Sequence, residues 1–434
     1  MSFQDNLAYL YSLQQFGIKL GLSNIKRICL SLNNPHEKLK TIHVGGTNGK
    51  GSTAAILASV LQEAGYKTGL YTSPHLTDIR ERIRINNIPI TKEHFSFLIE
   101  NIKEHIEGSD ILPTFFEFTT ALALQYFAEE RVDIAVVEVG MGGRLDATNI
   151  IVPLVTIITN VDYDHTEHLG TDLEDIAGEK CGIIKKSAPV VTSEHKENIL
   201  SIIEDSAKKA GTVTYIFGRD FNTVPVKLTR SYSEFYYYGK RWRELLLKLP
   251  LAGKHQMFNL GAAIYTIELL MQKGFEVTDH QLFRGVENTS WPGRLETVSV
   301  NPQVIVDGAH NHAGTIVLAR FIEDVLMKVE GHGNIILIFG VLKDKDVSRM
   351  IEELIPYSSE VIITKPDTER GLPVEDLRKI VEQYGITPHV TQAVSEALSH
   401  AYNIASSSDT IIVTGSLYMA GEARNQITSG FVNE

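Results

Sequence analysis

The chain has very little cysteine. Cys29 and Cys181 are the only two, far apart and without metal-ligand spacing. That leaves no cysteine metal cluster and fits a reducing cytosol. Clustered positive charge is also missing. The formal charge is −12, and no five-residue basic block occurs. Nucleic acid is therefore not expected as a partner, because phosphate backbones need grouped Lys and Arg. No uncharged apolar run is long enough to span a bilayer, so no membrane partner is expected. The start, Met1-Ser2-Phe3-Gln4-Asp5, lacks the basic and apolar regions of a secretion signal. Low-complexity tracts and fixed-period repeats are absent. What is present is an ordinary globular composition, with material for about two or three domains.

Strand-like and helix-like runs alternate through most of the 434 residues. Candidate strands are Thr41–Val44, Lys67–Tyr71, Ile134–Val139, Val155–Thr159 and Pro189–Thr192. Amphipathic stretches such as Glu117–Glu130 and Glu194–Ala210 lie between them. This pattern predicts a parallel sheet covered on both faces. Val213–Leu249 alternates and is rich in Tyr, which predicts antiparallel hairpins at one edge. A helix is expected over about Gln256–Lys273. A second series has strands at Gln303–Val306, Asn334–Phe339, Glu360–Thr364, Pro388–Val390 and Thr410–Thr414. Ser290-Trp291-Pro292-Gly293-Arg294 breaks both patterns and marks the junction. The expected domains are 1–296 and 297–434. The second has no Gly-x-Gly-x-x-Gly fingerprint, so no independent dinucleotide site is expected there.

The run Gly46-Thr47-Asn48-Gly49-Lys50-Gly51-Ser52 follows the apolar Ile42-His43-Val44 and precedes a buried-helix pattern from Thr53 to Leu61. A glycine-rich turn between strand and helix cradles phosphate. Its N–H groups point at oxygens, and the helix start adds positive potential. Lys50 supplies a point charge for the β- and γ-phosphates, and Ser52 or Thr53 a hydroxyl. Gly51, between Lys50 and Ser52, departs from the standard pattern. The plain alternative is a surface turn, but strand, loop and helix all fall where phosphate binding needs them.

Further motifs sit at expected carboxyl ends of strands, where such sheets bind ligands. They are Thr72-Ser73-Pro74-His75-Leu76, Gly140 to Asn149, and Asn160-Val161-Asp162-Tyr163-Asp164-His165. Glu138 lies inside Val136-Val137-Glu138-Val139. A carboxylate in an apolar strand is costly unless paired or metal-bound. A structural ion pair with Arg144 is one reading, a divalent cation the other. Ser73 alone reads as a helix cap, and His165 alone as a loop histidine. Together with Glu138 they suggest a Mg²⁺ site, although histidine is an unusual ligand for that hard cation. Lys180 cannot be ranked above Lys185 or Lys186 on chemistry alone.

These motifs, with Glu179-Lys180-Cys181-Gly182-Ile183, Pro292-Gly293-Arg294 and Asp307-Gly308-Ala309-His310-Asn311, resemble the folylpolyglutamate synthase family. That family includes bifunctional dihydrofolate synthases and belongs to the Mur ligase superfamily. The resemblance covers nearly the whole chain in order. His312 departs from it, where the family usually has Pro. The resemblance implies an α/β fold: a P-loop parallel-sheet ATPase domain followed by a smaller Rossmann-like domain. It implies ATP phosphates on Gly49, Lys50, Gly51 and Ser52, and nucleotide contacts from Asn259, Arg294 and Asp307. It implies magnesium on Ser73, Glu138 and His165, with a second ion on a carbamylated Lys180. His310 would help hold the phosphate region, so Lys50, Lys180 and His310 are the expected catalytic residues. A pterin would lie near Phe116 and Glu117, in the run Phe115 to Phe118, and near Leu145, Asp146 and Ala147. The aromatic run reads equally as core.

The expected activity is ATP-dependent addition of L-glutamate to tetrahydrofolate by a cytoplasmic monomer, with dihydropteroate left open as a second substrate. Two alternatives stand beside it. A cell-wall Mur ligase fits the phosphate loop, but Phe115–Phe118 and Gly142 to Asp146 favour folate. A P-loop ATPase without ligase activity leaves Asp307–Asn311 unexplained.

Overall fold

The computed structural model describes residues 2–430 apart from 18 and 20. The chain divides into two compact units. One takes residues up to 224 with 236–247 and 257–289, and the other 225–235, 248–256 and 290–434.

The first unit is built on an eight-stranded sheet. Its strands are β1 (Thr41–Gly45), β2 (Thr68–Tyr71), β3 (Ile83–Ile85), β4 (Ile88–Pro89), β5 (Ile134–Glu138), β6 (Val155–Ile158), β7 (Val190–Thr192) and β8 (Thr214–Ile216). The order is β4-β3-β2-β5-β1-β6-β7-β8. From β2 to β8 all neighbours run parallel, and β3 and β4 add an antiparallel edge. β1, β5 and β6 are buried at every position, as parallel strands covered on both faces should be. The helix Lys50–Glu63 after β1 is apolar nearly all round and buried from Gly51 to Ala58. The chain moves one way across the sheet from β1 to β2 and the other way from β6 to β7. That reversal places the ligand crevice at the carboxyl ends of β5, β1 and β6. Register fixes those ends side by side, with Val44 opposite Glu138 and Gly45 opposite Ile158.

The expected strands of this unit agree with the observed ones to about a residue. Two differences have physical causes. Thr214–Ile216, read as part of the hairpins, is the parallel edge strand β8, paired with Val190–Thr192. The helix expected from Glu194 begins at Glu197. The Glu194 carboxylate accepts the N–H groups of His195 and Lys196 at 2.8 and 2.9 Å, which holds both out of the helix.

The rest of the hairpin region forms a three-stranded sheet of β9 (Asn222–Leu228), β10 (Ser233–Tyr238) and β11 (Leu245–Leu249). Its turns are closed by N–H groups of Thr229 and Gly239, which donate to the carbonyls of Tyr232 and Trp242 at 3.0 and 2.7 Å.

The second unit carries a six-stranded sheet in the order β12-β13-β17-β14-β15-β16. Its strands are β12 (Glu296–Val300), β13 (Gln303–Val306), β14 (Ile335–Phe339), β15 (Glu360–Ile363), β16 (His389–Val390) and β17 (Thr410–Thr414). All pair parallel except β12, an antiparallel edge that the sequence pattern did not reveal. Ile305, Leu337, Phe339, Ile363 and Ile412 form the centre of its core.

Candidate active site at the phosphate loop

The loop after β1 is shaped by close approach. Gly46 has φ +138°, and a Cβ there would lie 1.9 Å from Thr159 Oγ1. Gly49 has φ +81°, and a Cβ there would lie 2.2 Å from Asn259 Oδ1. Only glycine meets both demands. The back of the loop is stitched to the loop after β6. Thr47 N–H donates to the Asn160 carbonyl and Asn48 N–H to Asn160 Oδ1, both at 2.8 Å. Thr159 Oγ1 donates to the Asn48 carbonyl at 2.7 Å. The amides of Thr47 and Asn48 are therefore spent on structure. Anion binding falls to the start of the helix Lys50–Glu63, which has no side-chain cap because Gly49 is its N-cap residue. An uncapped helix start behind a cradle that a Cβ would fill fits the phosphates of a nucleotide.

Two lysines converge here. Lys50 Nζ donates to the carbonyls of Gly46 and Thr47 at 3.2 and 3.0 Å. Lys180 Nζ, buried near the end of the helix Leu173–Cys181, donates to the Gly46 carbonyl at 2.9 Å. Burial, and then the Lys50 charge, push the Lys180 ammonium down to about 7, against the pull of Asp164 and Asp146. Lys185 instead reaches the Asn149 carbonyl at 3.3 Å, and Lys186 is exposed. Of the three lysines that sequence chemistry could not rank, Lys180 is the one placed beside Lys50.

Glu138 ends β5 and is buried. Its carboxylate accepts Ser73 N–H at 3.1 Å. The ion pair considered with Arg144 is not the one formed. Arg144 Nε meets Glu179 at 3.0 Å, and its Nη2 donates to the Gly178 carbonyl at 2.9 Å. His165, at φ +50°, heads the short helix Thr166–Leu169 and is half-buried, with its Nε2 3.9 Å from Asp164 Oδ2. Among the described residues no three His, Cys, Asp or Glu side chains form a metal cage. A buried carboxylate with a neighbouring serine beside a phosphate cradle still fits Mg²⁺. That ion takes one or two protein oxygens and completes its shell with phosphate and water.

The expected pterin side divides into several roles. Thr114 caps the helix Phe115–Glu129, and Glu117 closes the capping box by accepting Thr114 N–H at 2.8 Å and its hydroxyl at 3.0 Å. Glu117 is thus engaged by its own helix. The Thr114-x-x-Glu117 spacing was the signal for it. Phe118 is core, and Phe116 packs 6.1 Å from the Tyr71 ring. Phe115 stacks on Tyr11 at 5.9 Å and lies under the Arg82 guanidinium at 5.1 Å. Arg82 Nε also donates to His75 Nδ1 at 2.9 Å, a part-buried pair that sequence reasoning did not single out. Burial and Arg82 push His75 down to about 4. Asp146 is buried and Leu145 exposed at the end of the loop after β5, and Ala147 is buried.

In the second unit Asp307 follows β13. Its carboxylate accepts the N–H groups of Leu295 and Ala309, each at 2.9 Å. Burial pushes its carboxyl up, and Arg294 opposes this. Arg294 Nη1 donates to the Gly293 carbonyl at 3.0 Å, and His310 Nδ1 lies 2.9 Å from the Gly308 carbonyl. Asn311 caps the helix His312–Phe321 by accepting Gly314 N–H at 2.8 Å. His312 is the first residue of that helix, where a proline is also at home, and pairs with Glu353 at 2.9 Å.

A parallel α/β sheet with a glycine–lysine loop at its switch point, a buried carboxylate at the adjacent strand end and a second α/β unit define a P-loop nucleotide-binding protein. Residues 44–267 match the Mur ligase middle domain, and residues 293–417 the Mur ligase glutamate ligase domain. The dihydrofolate synthase/folylpolyglutamate synthase of Bacillus subtilis strain 168 is 33% identical over 98% of this chain and 99% of its own. The folylpolyglutamate synthase of Lacticaseibacillus casei is 33% identical over 99% of this chain and 100% of its own. The solved folylpolyglutamate synthase of Thermotoga maritima superposes with a TM-score of 0.85 at 35% identity, covering 100% of this chain and 98% of that one. E. coli FolC in complex with DHPP and ADP gives 0.89 at 29% identity, covering 99% and 98%. The chain belongs to the folylpolyglutamate synthase/dihydrofolate synthase family of Mur ligases.

Proposed function

We propose that this chain is an ATP-dependent carboxylate–amine ligase that adds L-glutamate to tetrahydrofolate, and to dihydropteroate as a second substrate. The observation that carries this reading is the convergence of Lys50 and Lys180 on the Gly46 carbonyl, beside an uncapped helix start. The second substrate is supported by the bifunctional B. subtilis relative and by the E. coli structure with DHPP. On this reading residues 1–296 hold the nucleotide and 297–434 form the ligase half.

A carboxylate oxygen of the folate attacks the γ-phosphorus of ATP, and ADP leaves with the electrons of the broken P–O bond. The amine of glutamate then attacks the acyl carbon and loses a proton. Inorganic phosphate departs with the C–O bonding pair, leaving an amide. No covalent nucleophile of the protein is needed, so catalysis rests on positioning and charge neutralisation. The helix start from Gly49 to Ser52 holds the phosphates, and Lys50 places its charge on them. Asn259, Arg294 and Asp307 contact the nucleotide, and His310 supports the phosphate region. Mg²⁺ held by Ser73, Glu138 and His165, with a second ion on carbamylated Lys180, would polarise the phosphoryl group. Asp146 shapes the loop that presents Leu145 and Ala147 to the pterin, with Phe116 beside it. Glu117 contributes through the helix start it closes.

One observation supports a cytoplasmic setting: both cysteines are unpaired and buried. Among the described residues no helix is long and apolar enough to cross a membrane.

Phosphate release with ATP tests the reading. Release that requires both a folate and glutamate, with a product heavier by one glutamyl residue in mass spectrometry, is expected. Release without either substrate supports a plain ATPase, and dependence on a uridine-nucleotide substrate supports a cell-wall ligase.

A further inference from the structure

His43 sits in the middle of β1 and is fully buried, yet no role above uses it. Its Nε2 lies 2.8 Å from Thr148 Oγ1. The Thr148 hydroxyl gives its only proton to Asp146 Oδ1. It therefore accepts from His43, which places the imidazole proton on Nε2. Asp146 in turn accepts Thr148 N–H at 3.0 Å and Met141 N–H at 2.8 Å. One continuous chain of hydrogen bonds thus runs from the centre of the sheet to both ends of the loop after Glu138.

The arrangement is costly for the core. His43 Nδ1 is buried without a protein hydrogen-bond partner among the described residues, and so is the hydroxyl of Thr156, its register partner on β6. A valine at position 43 would fill a strand interior without that cost. Nothing in the packing of β1 requires an imidazole there. What it supplies is a directed N–H at the root of the Asp146 network.

We propose that His43 is a positioning residue for the pteridine side of the substrate site, acting through Thr148 and Asp146 on the loop 140–148. The proposal rests on the functional reading above. Burial, with a smaller push from Lys185, brings His43 down to about 3. The imidazole is therefore neutral at any pH where the reaction is assayed, and the network keeps one direction.

The test uses His43→Leu, which removes the donor, and His43→Gln, whose amide nitrogen reaches the position of Nε2. KM for the folate and for ATP are measured separately. Pteroate affinity is titrated by fluorescence without metal or nucleotide, and each variant is melted. His43→Leu should weaken pteroate binding and raise the folate KM roughly tenfold, as misplaced substrate contacts do. The KM for ATP should hold, and His43→Gln should recover most of the loss. An earlier melt in His43→Leu with unchanged affinities overturns the proposal and leaves His43 a core residue. If His43→Leu does not fold, Thr148→Val breaks the same chain with the imidazole in place, and unchanged pteroate affinity there also overturns it. Wild-type protein without folate-dependent phosphate release overturns the functional reading instead.

Discussion

Lys50 and Lys180 donate to the same backbone oxygen, the Gly46 carbonyl, at 3.2 and 2.9 Å. Two ammonium groups held on one acceptor repel each other, and the buried one yields. Burial first, and then the charge of Lys50, lower the proton affinity of Lys180. The pair is a site prepared for negative charge. On the proposed function, phosphate oxygens would relieve the repulsion from outside, and a carbamate on Lys180 would turn it into attraction.

Lys50→Ala should leave the fold intact, because the side chain bonds only two loop carbonyls. Ligation should fall by roughly a thousandfold or more, the scale set by removing one group that stabilises a transition-state charge. A melt within a degree or so of wild type, together with single-turnover phosphate release, checks both halves.

Lys180 offers a pH test. A carbamate forms from the neutral amine. An ordinary lysine supplies that form only near pH 10, whereas at about 7 the fraction of free amine rises through neutrality. Incorporation of carbon-13 bicarbonate into the protein should therefore increase with pH with a midpoint near 7, and vanish in Lys180→Ala. A short carboxylic acid should restore part of the activity of Lys180→Ala. Lys180→Arg should stay inactive, since its guanidinium stays charged. Labelling that begins only above pH 9 contradicts the position assigned to Lys180.

Glu138→Gln keeps an oxygen for Ser73 N–H but removes the charge a divalent cation needs. Stability should change little, while the Mg²⁺ concentration for half-maximal activity rises at least tenfold, about 1.4 kcal/mol of lost metal affinity. Titrating activity against Mg²⁺ reads this directly. Unchanged metal dependence in an unstable variant returns Glu138 to a structural role.

Glu194 is buried and accepts three backbone N–H groups, from Val161, His195 and Lys196, at 2.7, 2.8 and 2.9 Å. Lys196 Nζ donates to the Val161 carbonyl at 2.7 Å, so both polar groups of Val161 are clamped. The same loop is bonded to Thr47 and Asn48 and carries His165. Glu194→Gln should cost about 2 kcal/mol, the scale of hydrogen bonds to a charged group. Denaturant unfolding measures that loss. Faster hydrogen exchange at 160–165 than elsewhere should accompany it.

The phosphate loop and most strands were legible because their causes are local. Gly46 and Gly49 must be glycine for backbone reasons, and the buried runs of β1, β5, β6, β13 and β17 are nearly continuous in sequence. Local signals were also overlooked. The Thr114-x-x-Glu117 capping box was in plain view, and Glu194 follows a run of strand residues as Glu138 does. Thr214–Ile216 was misassigned because a three-residue edge strand next to alternating hairpins has no pattern of its own.

By itself the sequence determined the order of motifs, the alternation of strand and helix, and the family those motifs resemble. The tertiary structure decided which charges meet. It set Lys180 rather than Lys185 or Lys186 beside Lys50, gave Arg144 to Glu179 instead of Glu138, and joined His43 to Asp146 through Thr148. Each of these pairings joins residues separated by tens to more than a hundred positions in the chain. Their partners are set by strand order and register, which side-chain periodicity along one segment does not encode.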